Sequence, residues 1–248
     1  MEEWLLAWAD PGGDGEATLR EDRGFRRGEE MMAVGLREAA LAEFKALQQR
    51  FWDDPQALYR LALLFQELGL YRLSIACAER LIALSPANIP QALQGMAYPL
   101  PFDDLVTAEA RERGFDPLLL FALIRQESRF DPWATSWAGA RGLTQVIPTT
   151  GEFIARQLKL DDYQPEDLYR PYLSVRFGAV YLAAQLAAFD DQIPLALAAY
   201  NGGPGNARRW VGEAADVDLA VEEIDLAETQ LYVRRVYEQY AAYRRIYV

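Results

Sequence analysis

The chain contains no histidine. That absence excludes Ser–His and Cys–His nucleophile pairs, His-ligated zinc and an imidazole general base together. Its one cysteine, Cys77, cannot form an intrachain disulfide. Set in the apolar run SIACAERL, it is expected to be a small core residue and carries little information about redox compartment. No apolar run is long enough to span a bilayer. The start, MEEWLLAWADPGG, lacks the basic residues and long apolar stretch of a signal peptide. Cations are scarce, with 25 Lys and Arg against 37 Asp and Glu and a formal net charge of -12. Such a balance argues against a broad electrostatic footprint for nucleic acid or for an anionic membrane. A neutral or mixed-charge ligand held by shape and hydrogen bonds is compatible with it. No stretch alternates in the manner of a strand, so the expected fold class is all-α. No metal and no cofactor is expected.

What the chain does have is enough apolar material for one large domain or two modest ones: 248 residues, 51% hydrophobic and 12% aromatic. Residues 1–27 join a short apolar patch, Trp4 to Trp8, to the Gly- and acid-rich ADPGGDGEA, and are expected to be a flexible or docking segment. Residues 28–100 carry a helical-hairpin pattern. Gly35-Leu36 and Gly69-Leu70 recur 34 residues apart, the period of tetratricopeptide-like helix pairs. At that offset Ala40 matches Ser74, Ala42 matches Ala76 and Leu47 matches Leu81. The small residues are expected to let two helices approach closely while the leucines fill the gap. Asp54-Pro55 is a start signal for a helix that Gly69 ends. Two copies are too few for a free-standing solenoid, so this block is expected to lean on the next domain or to have continued N-terminally. A coincidental hairpin is the alternative. Pro90, Pro99 and Pro101 mark a boundary, and residues 101–248 form the second domain. Its expected helices cover Asp104 to Gly114, Pro148 to Leu160, Pro171 to Phe189, Pro194 to Tyr200 and Leu226 to the C-terminus. The last carries an aromatic ladder of Tyr232, Tyr240 and Tyr243, with Val233, Val236 and Tyr237 alongside.

The second domain is organised around Phe115 to Pro148, FDPLLLFALIRQESRFDPWATSWAGARGLTQVIP, and within it around Glu127. Asp116 caps a helix that Pro117 can begin without losing a hydrogen bond. Leu118 to Ile124 are apolar on every face, which predicts a helix buried all round. Leu120, Leu123 and Ile124 lie one or two turns back from Glu127 on the same stripe. A carboxyl ending such a stripe is hard to ionise, and a raised pKa suits a general acid near neutral pH. The bland alternative is a solvated Glu, or an ion-pair partner of Arg125 or Arg129.

Three segments follow one another in order: Glu127-Ser128, then GARGLTQVIP (139–148), then AYNGGPGNARRW (199–210). Together with ETQLYVRRV (228–236) they resemble the catalytic domain of the soluble lytic murein transglycosylases, relatives of goose-type lysozyme. The resemblance covers roughly residues 60–248 and implies a lysozyme-like helical domain with a groove for peptidoglycan glycan strands. By that resemblance Glu127 is the catalytic acid, cleaving between N-acetylmuramic acid (MurNAc) and N-acetylglucosamine (GlcNAc). It then acts as base toward the muramyl C6 hydroxyl, giving a 1,6-anhydro product without water. Asp131, Glu152 and Glu228 are rivals for a second carboxylate role. Asp131 is expected in a turn or cap, and Glu152 in a helix first turn.

The resemblance also assigns substrate-binding positions. Ser128 and Ser136 organise the loop around the acid, and Gln145 and Ile147 face the groove. Tyr200 and Asn201 sit across from Glu127, the phenol donating to the acid or to the reacting sugar, while Glu228 and Tyr232 line the groove. Three positions depart from the family pattern: Thr144 and Ile147 stand where methionines are usual and Gly202 where an alanine is usual, and Thr144 would replace a groove-lining thioether with a short polar group. Because peptidoglycan lies outside the cytoplasmic membrane, a periplasmic or extracytoplasmic location is expected, with truncation accounting for the missing signal. Protein partners are not indicated. A lysozyme-type hydrolase and a non-catalytic glycan-binding helical protein are the competing expectations.

Overall fold

The computed structural model describes residues 15–85, 89–212 and 216–248, so the Trp4 to Trp8 patch lies outside the described residues. The chain is all-α: among the described residues there is no strand, only isolated bridges at Thr135–Arg141 and Arg141–Val146. It divides into two compact units, Met1–Pro99 and Leu100–Val248. No helix among the described residues is long and apolar enough to cross a membrane.

The first unit holds α1 (Gly15–Glu21), α2 (Arg23–Ala33), α3 (Arg37–Arg50), α4 (Pro55–Glu67), α5 (Tyr71–Leu84) and α6 (Gln91–Ala97). Helices α2–α3 and α4–α5 pack as two hairpins. The 34-residue recurrence of Gly-Leu has a local cause. At Gly35 (φ 79°) and Gly69 (φ 68°) the chain turns left-handed. Leu36 and Leu70 then donate back to the Met31 and Phe65 carbonyls at 2.8 and 2.7 Å, a Schellman ending in each case. Asp54 caps α4 through the Ala57 amide at 3.1 Å. Phe25 packs tilted on Phe44, and Phe44 meets Phe65 edge to face, in a core where Leu47, Cys77 and Leu81 are also buried. Two expectations need correction. Residues 18–27 are not a loose segment, since Leu19 and Phe25 belong to this core. Ala42 is exposed, so its small size serves no close helix approach.

The second unit is built from α7 (Asp103–Glu112), α8 (Pro117–Ser128), α9 (Pro148–Gln157), a 3-10 turn (Pro165–Tyr169), α10 (Pro171–Ala188), α11 (Ile193–Gly202), α12 (Pro204–Gly212), α13 (Val217–Glu222) and α14 (Ala227–Tyr247). Of the apolar run, Leu119 to Ile124 of α8 are each no more than 1% exposed, as expected, whereas Leu118 in the first turn is only half-buried. The Asp116 carboxylate accepts from the Leu118 amide at 2.9 Å and, through its other oxygen, from the Tyr240 hydroxyl at 2.7 Å. The residue that starts α8 therefore also ties it to α14. A second tie runs from Gln239 Nε2 to Gln126 Oε1 at 2.8 Å, near the other end of α8. Tyr232 and Tyr243 of the ladder are buried, whereas Tyr240 is half-buried and Tyr237 exposed. Pro204 does not merely stop α11. It begins α12, because proline is favourable in a first helical turn.

Candidate active site

Glu127 is the penultimate residue of α8, at the edge where the buried helix gives way to a loop. The Tyr232 hydroxyl of α14 donates to its Oε1 at 2.6 Å. Burial drives the Glu127 pKa up to about 8; the Tyr232 hydrogen bond pulls the other way, and the negative charge of Glu228 pushes up again. The carboxyl is consequently protonated at neutral pH and can give up a proton near its working range. Tyr200, from α11, is held well above the usual phenol range by burial and by the same carboxylate, so it stays protonated.

The loop from Arg129 to Ile147 shapes the ground in front of the acid. Arg129 and Phe130 take left-handed conformations (φ 51° and 62°), and Phe130 drops its ring into the core beside Phe121. The turn that follows has Asp131 accepting from the Trp133 amide at 3.0 Å. The Ser128 hydroxyl lies 3.2 Å from the Ile124 carbonyl and 2.8 Å from that of Leu143, joining the helix end to the far limb of the loop. Ser136 Oγ accepts from the Ala140 amide at 3.1 Å. Gln145 Nε2 donates to the Ala134 and Gly142 carbonyls at 3.0 and 2.8 Å. These contacts hold the loop by its own backbone.

A cavity of about 710 Å³ opens over this loop. Glu127, Ser136, Gln145 and Ile147 line one side; Tyr200, Asn201 and Glu228 come from α11 and α14. Ser128 does not line it and braces the loop from a buried position, while Tyr232, expected at the groove, is 5% exposed and contacts the Glu127 carboxyl without lining the cavity. Tyr200 also differs from expectation: its hydroxyl donates to the Thr144 carbonyl at 2.8 Å, and the phenol that reaches Glu127 is Tyr232's. Both tyrosines lie close to the carboxylate, but only Tyr232 approaches from the helix paired with α8. Asn201 Oδ1 accepts from the Thr229 hydroxyl at 2.7 Å, which spends that oxygen on the fold.

Thr144 does not alter the groove wall. It is fully buried, its hydroxyl donating to the Ser174 carbonyl of α10 at 2.7 Å. Gly178 makes room for it, since a Cβ there would sit 2.4 Å from Thr144 Cγ2. Of the rival carboxylates, Glu152 lies exposed on the second turn of α9 instead of its first, and Asp131 serves its turn. Residues absent from the sequence expectations also line the cavity: Trp137, Tyr181, Asp225 and Thr229 among them. Tyr181 sits edge-on to Tyr200 at 5.1 Å, and within the Ala-rich α10 it was masked by an otherwise uniform packing pattern. Trp137 had a usable signal: a large aromatic in a Ser/Gly turn has no periodic face to bury it.

Residues 104–221 match the family described as Transglycosylase SLT domain. The soluble lytic murein transglycosylase of Salmonella typhimurium is 35% identical over 151 residues, covering 59% of this chain and 23% of that relative. A membrane-bound lytic murein transglycosylase F from Alcanivorax borkumensis is 39% identical over 111 residues, covering 42% of this chain and 22% of the relative. Among solved structures, an inactive glutamate-to-glutamine mutant of the lytic transglycosylase Slt from Pseudomonas aeruginosa superposes with a TM-score of 0.78 at 27% identity, covering 93% of this chain and 36% of that one. The 70 kDa soluble lytic transglycosylase of Escherichia coli gives 0.77 at 26%, covering 92% and 36%. The chain thus spans about a quarter to a third of the length of these relatives.

Proposed function

We propose that this chain, whose second unit belongs to the soluble lytic murein transglycosylase family, cleaves the β-1,4 bond between MurNAc and GlcNAc in peptidoglycan and closes the muramyl end to a 1,6-anhydro ring. The observation that carries the reading is one carboxyl, Glu127, kept protonated by burial and facing a cavity large enough for sugar residues. Its proton passes to the glycosidic oxygen as the muramyl C1–O bond breaks, and the leaving GlcNAc departs with a free 4-hydroxyl. The substrate's own N-acetyl carbonyl supports the cationic C1. Glu127, now anionic, takes the proton of the C6 hydroxyl as O6 bonds to C1, so the carboxyl ends as it began and no water is consumed. One group acting in succession needs no paired carboxylate of the kind the two-carboxylate glycosidases use. The substrate places the work in the periplasm or outside the cell.

The test is mass spectrometry of muropeptides released from purified sacculi, with Glu127→Gln in parallel. The native chain should release anhydro-muramyl ends, and the variant should bind strands without cutting them. Reducing ends would instead identify a lysozyme-type hydrolase. Undiminished cutting by the variant would remove Glu127 from the mechanism, and a native chain that binds without cutting would leave only a glycan-binding protein.

A further inference from the structure

We propose that Trp137 is a sugar-stacking platform at the rim of the cleft, packing its indole face against a pyranose ring of the bound strand and so setting how firmly the strand is seated. The inference rests on the peptidoglycan reading of this site. Trp137 lines the cavity that Glu127 faces, yet it is 94% exposed. Exposing so large an apolar face is unfavourable, and the fold gains nothing from it: among the described residues it has no ring partner and no side-chain hydrogen bond. Its neighbour Trp133 makes the contrast, since at 58% exposure that ring still stacks on Tyr169 with centroids 5.7 Å apart.

The turn beneath Trp137 is rigid. The Ser136 carbonyl accepts from the Gly139 amide at 3.0 Å, and the Ser136 amide donates to the Ala140 carbonyl at 3.0 Å. The Ser136 hydroxyl takes the Ala140 amide, and Gly139 supplies the positive φ of 78° that closes the loop. An exposed indole on a fixed base is pre-organised, so little backbone ordering opposes its use on binding. Its chemistry fits a sugar ring: a flat apolar face suits the C–H face of a pyranose, while the indole N–H can reach a rim hydroxyl or acetamido oxygen. Apart from Glu127, which burial keeps neutral, the acidic groups lining this cavity are Asp225 and Glu228, so an uncharged contact is the complement available to a neutral ring.

Trp137→Ala and Trp137→Phe in the full chain test this. With peptide-free glycan strands as substrate, Trp137→Ala should raise KM about 10-fold, with the loss in KM and not in kcat, and Trp137→Phe should recover most of it. Calorimetric binding of the same strands to Glu127→Gln should weaken by a similar factor when Trp137→Ala is added. Indole emission should shift when Glu127→Gln binds strands, and that shift should vanish in the double variant. Melting temperature should not move, because the side chain touches nothing that holds the fold. A Trp137→Ala chain with unchanged KM and an unchanged emission response, in a protein that cuts strands, overturns the platform and leaves the function standing. A native chain that neither cuts nor binds strands overturns both.

Discussion

At Glu127 two influences act against each other: burial favours the neutral carboxyl, while the Tyr232 hydroxyl, donating at 2.6 Å, favours the anion. Burial wins and sets the pKa at about 8. In the proposed mechanism the first step needs the acid form, so the rate should fall as pH rises through that value. Removing the phenol takes away an influence that lowers the pKa, so Tyr232→Phe should move the alkaline limb upward, by up to about one pH unit for one hydrogen bond. It should also cost several-fold in kcat at neutral pH, because Oε1 loses its fixed partner. pH profiles of kcat and of kcat/KM between pH 5 and 10 check both, and a limb that stays put or moves down contradicts the assignment. The choice between Tyr200 and Tyr232 was not legible in the sequence. Each phenol sits on a helix that faces the acid. Which one touches it depends on the packing of α8 against α14, held by the contacts of Asp116 with Tyr240 and of Gln126 with Gln239.

The loop between α8 and α9 has two glycines with similar backbones and opposite surroundings. Gly139 (φ 78°) has open space where a Cβ would stand. At Gly142 (φ 75°) a Cβ would sit 1.9 Å from the Leu168 carbonyl oxygen and 2.7 Å from Ser174 Oγ. Gly139→Ala should therefore cost about 1 kcal/mol, the backbone penalty alone. Gly142→Ala must also push the loop off the 3-10 turn and α10, costing roughly 3 kcal/mol or more, and shifting Gln145 and the floor of the cavity with it. Thermal melts and strand-cleavage rates measured side by side should show a small loss of both for the first and a large loss of both for the second. Equal effects would mean that the loop is not pinned at Gly142. The pattern GARGLTQ announces tight turns, because glycine supplies positive φ, but it cannot say which glycine meets a neighbouring backbone. The same holds for Thr144. Beside Gln145 it looks like groove lining, and only the approach of Gly178 and Ser174 turns it into the core. Helix starts were easier to see, since Asp116-Pro117, Pro148 and Pro171 act within one turn of the chain, whereas α13 offers six residues and no proline.

Across the whole molecule the chain divides into two compact units between Pro99 and Leu100. Fold class was legible because helical periodicity and capping are local, and the 34-residue recurrence shows itself as two equivalent Schellman endings. The second unit has the means to stand alone. Phe121, Ile124, Phe177, Leu182, Leu197, Val236 and Tyr243 are all buried within it, supplied by four different helices. Close to 150 residues is enough chain to bury such a core without outside help. Every group proposed to act in catalysis or in seating the strand, from Glu127 to Tyr232 and Trp137, belongs to that unit as well. We therefore expect residues 100–248, expressed alone, to show a helical circular dichroism spectrum, one cooperative melting transition and release of the same anhydro-muropeptides from sacculi. A fragment that folds cooperatively yet cuts nothing, beside an active full chain, would assign the first unit a part in presenting the strand. A fragment without a cooperative transition would show that the buried side chains named here are insufficient, and the repeat-like hairpins would then be part of one folding unit.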